Sequence, residues 1–312
     1  MDSESVAVAP PTIAKRLLAA VRTARSAIRK LTASPNARPL LLALGAVLFL
    51  GTGIFAYSNL PDAPSQPAWH LLALVALGFA PLTAVLSGVE YRLTARMVGA
   101  DTSWRKALEI SVASSAANLL PLPGSYLLRT AALRTAGADR RSSLSAPLSV
   151  GLAWVGIGGI LGGSWLVVTE PTLFAALMLL LGIGLLWLSA ATAPHEDTRS
   201  VVALRLIWLV EVTMTTVAGL RFFFVLVAFG FDVSIGQALA LATSGILATA
   251  VGIVPGGLGL RELLAGAFAP LVALSASVGV LAAIVNRIAG MVGLMAVSAV
   301  LTVVSRAERS SS

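Results

Sequence analysis

The sequence predicts an all-α polytopic membrane protein with about six full spans and two oppositely oriented re-entrant helical hairpins, arranged as an inverted repeat. Three observations carry that expectation. Only 12% of the 312 residues are charged and 57% are hydrophobic, with a mean hydropathy of +0.90; a soluble domain uses about 25% charged residues to cover its surface. Apolar runs long enough to span a bilayer recur along the chain. Two further apolar runs are interrupted midway by proline and glycine, in NLLPLPGSYLLR and in IVPGGLGLRE. A β-barrel would show short alternating segments in place of these long continuous runs.

The elements follow in order. Residues 1–38 form a cytoplasmic basic segment. Ile13, Leu17, Val21, Ala24, Ile28 and Leu31 recur at spacings of three and four, with Lys15, Arg16, Arg22, Arg25, Arg29 and Lys30 among them. That pattern predicts an amphipathic helix lying in the interface, with a flexible basic tail as the alternative. The first span is about Pro39 to Ser58, and the loop after it carries no Lys or Arg. The second runs from about Trp69 to Tyr91 and is followed by Arg92 and Arg96. The positive-inside rule then places the N-terminus in the cytoplasm.

The first broken run is flanked by Arg105 and Lys106 before it and by Arg134, Arg140 and Arg141 after it. Both flanks are basic, so both belong inside, and a hairpin over about 107–136, entering and leaving on one side, satisfies them. Irregular backbone at membrane depth is tolerated only where protein or a wet cavity surrounds it. Spans at about Leu144 to Thr169, Thr172 to Ala191 and Val201 to Phe229 come next. A second broken run, about 237–272, precedes the final span at about Ser277 to Val304. With this one entering from outside, Arg306 and Arg309 in the tail 306–312 fall in the cytoplasm. Extended spans at either broken run are the alternative topology.

The two broken runs resemble each other. ALEISVASSAANLLPLPGSYLLR and ALALATSGILATAVGIVPGGLGLR both open on Ala-Leu, break at Pro-Gly and place Arg six residues after the proline. Pro123, Gly124 and Arg129 thus match Pro255, Gly256 and Arg261. Asn118 and Pro121 belong to the first break, Gly257 and Gly259 to the second. Each break follows two spans and precedes one, which divides the membrane portion into repeats at 39–170 and 171–305. Inverted repeats with discontinuous helices recur in secondary transporters. Glycines at a break permit close approach of backbone to a ligand, or equally allow tight helix packing.

Ionisable residues inside apolar runs are the candidate site, since each costs at least ~2.5–3.5 kcal/mol at the bilayer centre. They are Glu211, Arg221, Arg261, Glu262 and Arg287 beside Asn286, with Arg129 in the equivalent place of the first half. Adjacent Arg261 and Glu262 cannot face each other on a helix, so Glu262 is expected to turn toward Arg221 or Arg287. One reading is an ion-pair network that holds the hairpins. The other is that the arginine excess binds a phosphate, to which the planar guanidinium is suited. Glu90 and Glu109, near the ends of apolar runs, are expected to be solvated.

Other chemistries lack residues. With no cysteine and two separated histidines, His70 and His195, neither a thiol nucleophile nor a metal centre is expected. Phosphate-binding loops, histidine–carboxylate pairs and serine elbows are absent from the sequence, so no catalytic residue and no cofactor is assigned. The net charge of +8 is placed for anionic lipid and not for nucleic acid.

NLLPLPGSYLLRTAAL, IVPGGLGLRELL and the Asn286-Arg287 pair resemble the lysylphosphatidylglycerol synthase transmembrane domain family, also called flippase-like domain proteins. The resemblance covers roughly Pro39 to Val304, and PGGLGLRE is its most specific part. It implies movement of phospholipids, often aminoacylated ones, between leaflets, or a role beside glycolipid or polyprenyl-linked sugar pathways. It points to Pro123, Gly124, Arg129, Pro255, Gly256, Gly257, Gly259, Arg261 and Glu262. The chain reaches Ser312 without a soluble aminoacyl-transferase domain, so lysine transfer is not expected of it. The expectation is a lipid translocase of the cell membrane whose partners are phospholipid or lipid-linked phosphate. The alternative is a non-transporting scaffold or lipid-binding subunit for a separate glycosyltransferase or acyltransferase.

Overall fold

The computed structural model describes residues 37–60, 66–118, 124–169, 172–194, 197–251 and 257–311. Every regular element among them is helical: α1 Ala37–Ser58, α2 Trp69–Met97, α3 Trp104–Ala117, α4 Gly124–Thr135, α5 Arg140–Thr169, α6 Leu173–Thr192, α7 Thr198–Ala228, α8 Ile235–Val251, α9 Leu260–Phe268 and α10 Ala276–Ser311. Five helices are long and apolar enough to cross a membrane: α2, α5, α6, α7 and α10 over Ala276–Val304. In α1 and α8 the apolar stretches Leu42–Ser58 and Ile235–Ala250 are shorter. The chain is therefore a helical membrane protein. The expected N-terminal amphipathic helix, Pro121, Pro123, Pro255, Gly256 and His195 lie outside the described residues.

Local chemistry sets the boundaries. α2 contains a π-helical turn, Val75–Phe79, immediately before Pro81. Proline has no amide hydrogen to donate and its ring crowds the carbonyl four residues back, so the wider turn absorbs the misfit. Gly99 (φ +71°) stops α2, with the Ala100 amide donating to Ala95 O at 2.9 Å. Gly137 (φ +96°) stops α4 in the same way. Asp139 then caps α5 through the Ser142 amide at 2.9 Å, and Asp197 caps α7 through the Ser200 amide at 2.8 Å.

Close helix packing uses small residues, as lipid offers no hydrophobic drive between helices. A Cβ placed on Gly156 would stand 2.9 Å from Gly182 O, one on Gly163 2.8 Å from Leu179 N, and one on Gly182 2.7 Å from Gly156 O. That seam joins α5 to α6. On α10, a Cβ at Gly293 would meet Ala76 O at 2.6 Å, so α10 lies directly against the π-turn.

Buried apolar residues fall into two clusters. One gathers Val75, Leu166, Phe222, Val225, Leu241, Phe268 and Val278. The other gathers Tyr91, Met97, Leu133, Ala146, Leu204 and Ile207. α7 contributes to both, and between its two apolar contributions it buries Glu211 and Thr215. Polar chemistry thus lies between two cores.

Candidate functional site

The second half of the chain carries a cluster built on α7, α8, α9 and α10. Gly257 (φ +62°) and Gly259 (φ +76°) take conformations that side chains rarely adopt. A Cβ on Gly259 would stand 2.3 Å from Leu48 Cβ and 2.9 Å from Phe49 N. The glycine therefore lets the N-terminus of α9 lie against α1. α9 then presents Arg261 and Glu262 in its first turn, on different faces.

Glu262 is 0% exposed and accepts from Arg287 Nε at 2.7 Å and from Arg287 Nη2 at 3.4 Å. Arg287 Nη2 also donates to Gly257 O at 2.9 Å, which ties the turn before α9 to α10. The Arg287 guanidinium lies over the Phe49 ring, 6.0 Å from its centroid, within cation–π reach. Of the two partners expected for Glu262, the structure uses Arg287.

Among the described residues, Arg261 and Arg221 form no ion pair with a carboxylate. Arg261 Nη2 donates to Thr249 Oγ1 at 2.6 Å, joining α9 back to α8. Arg221 Nη2 donates to the Asn286 carbonyl at 2.9 Å. Gly290 makes room for it, since a Cβ there would be 2.8 Å from Nη2. The Nε atoms of both arginines and Oδ1 of Asn286 are buried without a partner. Arg261 lies within electrostatic range of Arg287, Glu262 and Arg221. Three guanidinium groups thus share one carboxylate, and the surplus is two positive charges in a site with unused N–H donors. Such a site is complementary to an oxyanion.

Arg129 is placed elsewhere. It pairs with Glu90 on α2: Nη1 donates to Oε1, and Nη2 donates to Oε2 at 3.3 Å and to Ser87 Oγ at 2.8 Å. Glu90 is 4% exposed, which corrects the expectation that it is solvated; it sits one turn from Ser87, where α3 and α7 pack on α2 and Arg129 of α4 reaches both side chains. Glu109 does lie at the surface, paired with Arg105 at 3.0 Å. Asn118, at the end of α3, caps α4 across the break by accepting from the Ser125 amide at 3.2 Å. A Cβ on Gly124 would overlap Ala117 O at 2.1 Å, so the two short helices touch at their ends.

The structure therefore brings Arg221, Arg261, Glu262, Asn286, Arg287, Gly257 and Gly259 into one region. Asn118, Gly124 and Arg129 fall in another. Sequence reasoning missed Glu90, Ser87 and Thr249. The spacing Ser87–Glu90 on one helical face was the available signal for the first two.

An apolar groove is lined by Phe49, Leu50, Gly53, Ile54, Tyr57 and Ile284 of α1 and α10, beside the Arg287–Glu262 pair. Phe49 belongs to both features. Among the described residues no group of histidine, aspartate and glutamate is placed to hold a metal ion. No family model, no curated protein and no solved structure matches the chain.

Proposed function

We propose that the protein is a lipid translocase that moves an anionic or phosphate-bearing lipid between leaflets. The single observation that carries this reading is the surplus of two half-buried guanidinium groups, Arg221 and Arg261, beside the buried Arg287–Glu262 pair. Buried charge without a counter-charge is costly, and a lipid phosphate supplies the missing anion. The apolar groove between α1 and α10 begins at Phe49, under Arg287, and gives an acyl chain a path beside the headgroup.

The re-entrant arrangement is part of the same proposal. α3 and α4 have 14 and 12 residues, about 21 and 18 Å at 1.5 Å per residue, against a hydrocarbon core of about 30 Å. α9 has 9 residues, about 14 Å by the same rise. α8 is folded back on α9 by the Thr249–Arg261 hydrogen bond. Short paired helices on either side of a Pro-Gly break support two hairpins, and their order within each half supports the inverted repeat. Basic flanks support a cytoplasmic-membrane location with both termini inside. Kinship with the lysylphosphatidylglycerol synthase transmembrane family belongs to this proposal too, on the PGGLGLRE motif.

The test is translocation of a fluorescent anionic phospholipid in proteoliposomes, followed by quenching of the outer leaflet. Wild-type protein is expected to expose label beyond the outer-leaflet share. Hydrogen bonds to charged groups contribute ~1.5–3 kcal/mol each, so Arg261→Ala is expected to slow the movement by about ten-fold or more. Equal rates in wild type and folded Arg261→Ala would refute the role of this site.

A further inference from the structure

The first half of the molecule holds a second polar cluster with the opposite balance. Among the described residues Arg129 is the cation that acts on two buried carboxylates there, paired with Glu90 on α2 and within electrostatic range of Glu211 on α7. The arginine is spent on one of them: Nη1 and Nη2 both engage Glu90, and Nη2 also engages Ser87. Glu211 is 1% exposed, and its Oε2 has no hydrogen-bond partner. Tyr91 Oη and Thr215 Oγ1 are likewise buried and unpartnered, as is Arg129 Nε. Thr215 lies one turn from Glu211 on α7, and Tyr91 is next to Glu90.

α7 packs against α2, α5, α8 and α10. Besides Glu90, α2 carries His70 and Arg96, both exposed, and Arg92, half-buried with its Nε unpartnered; among the described residues none of the three forms an ion pair with Glu211. Glu90 and Arg129 are the groups that act on it electrostatically. α8 carries no titratable residue. On α5 the charged residues are Arg140 and Arg141, exposed in its first turn. On α10, Arg287 is committed to Glu262, and Arg306 is exposed far along the helix. An ionised carboxylate sealed in this way draws on Arg129 alone, whose hydrogen bonds go to Glu90 and Ser87, and the repulsion of Glu90 opposes it, so its desolvation is poorly offset.

We propose that Glu90, Arg129 and Glu211 form a proton-binding site, with Glu211 carrying the proton in the state described here. Protonation makes Glu211 neutral, so the site holds one cation and one anion. When Glu211 releases its proton to water, the O–H bond breaks, the electron pair stays on the carboxylate and hydronium leaves. Two carboxylates then compete for one guanidinium whose Nε is unused. Arg129 stands on α4, which begins at the residue directly after the 119–123 break. Redistribution of Arg129 between α2 and α7 therefore acts on α4. Buried carboxylates in membrane helices serve as proton relays in pumps and transporters, and this one sits on the helix that also carries Arg221 of the anion site.

The proton site stands independently of lipid movement; only its coupling to translocation rests on the translocase reading. The test is infrared spectroscopy of the full chain in lipid nanodiscs at neutral pH, in H2O and D2O. Wild-type protein is expected to show the carbonyl stretch of a protonated carboxylic acid, lost in Glu211→Gln and retained in Glu109→Gln. If Glu211→Gln does not fold, Glu211→Asp keeps the acid and is expected to shift the band without abolishing it. An acid band unchanged by substitution at Glu211, or none in folded wild-type protein at neutral pH, overturns the proposal. So does a carboxylate band at Glu211 that responds to sodium and not to pH, which would assign the site to a monovalent cation.

Discussion

At the residue scale, the molecule turns on how each arginine withdrawn from the surface is balanced. Arg287 and Glu262 form a closed pair, and removing one member leaves the other charged and sealed. Glu262→Ala is therefore expected to destabilise the protein by ~3–5 kcal/mol, measured by denaturant unfolding in mixed micelles. Arg221→Ala is expected to have a much smaller effect on stability, because it removes a charge that has no counter-charge. Equal losses in the two variants would mean that the arginines form one structural network. The partner of Glu262 was legible because helical geometry forbids the adjacent Arg261 from facing it, which left Arg221 and Arg287. The partner of Arg129 was not. Glu90 sits two residues before Arg92 at the end of an apolar run, and in sequence nothing separates a solvated carboxylate from one paired with an arginine 39 residues away.

At the element scale, packing seams and caps make separate predictions. The α5–α6 seam leaves no room for a side chain at Gly182, where a Cβ would lie 2.7 Å from Gly156 O and 2.8 Å from Ile160 N. Neither atom belongs to a flexible side chain, so Gly182→Ala is expected to cost ~1–3 kcal/mol. Gly184→Ala, on the open side of α6 with nothing within 4 Å, is expected to be neutral in the same unfolding assay. The caps respond to pH. Hydrogen bonds from Ser142 hold the Asp139 carboxyl below its ordinary value, and hydrogen bonds from Ser200 do the same for Asp197. A depressed carboxylate contributes stability that is fully present above its unfolded-state value and is lost as pH falls through the folded one. Amide exchange at Ser142 and Ser200 is therefore expected to quicken relative to mid-helix amides as pH drops through the acid range. A flat ratio would remove the caps from the account.

These elements also mark where reading the sequence succeeds and fails. Long apolar runs and Pro-Gly breaks locate the membrane helices and the short ones, because hydropathy and helix breaking are local properties. The π-turn at Val75–Phe79 and the glycine seam depend on what a neighbouring helix brings close. Gly182 and Gly184 look alike in the sequence, and only α5 distinguishes them.

At the scale of the whole molecule, two buried polar clusters of opposite surplus share α7. One has three guanidinium groups and one carboxylate, the other one guanidinium and two carboxylates. On the proposed reading the first takes an anion and the second a proton. Arg221 and Arg261 are proposed to hold an anionic headgroup. The most direct measurement is native mass spectrometry of the purified protein released from micelles containing equal phosphatidylglycerol and phosphatidylcholine. Wild-type protein is predicted to retain phosphatidylglycerol preferentially, and the folded Arg221→Ala/Arg261→Ala variant to lose that preference by about 10- to 100-fold, as expected for loss of charge-assisted contacts. Undiminished preference in the double variant, or none in the wild type, would contradict the claim.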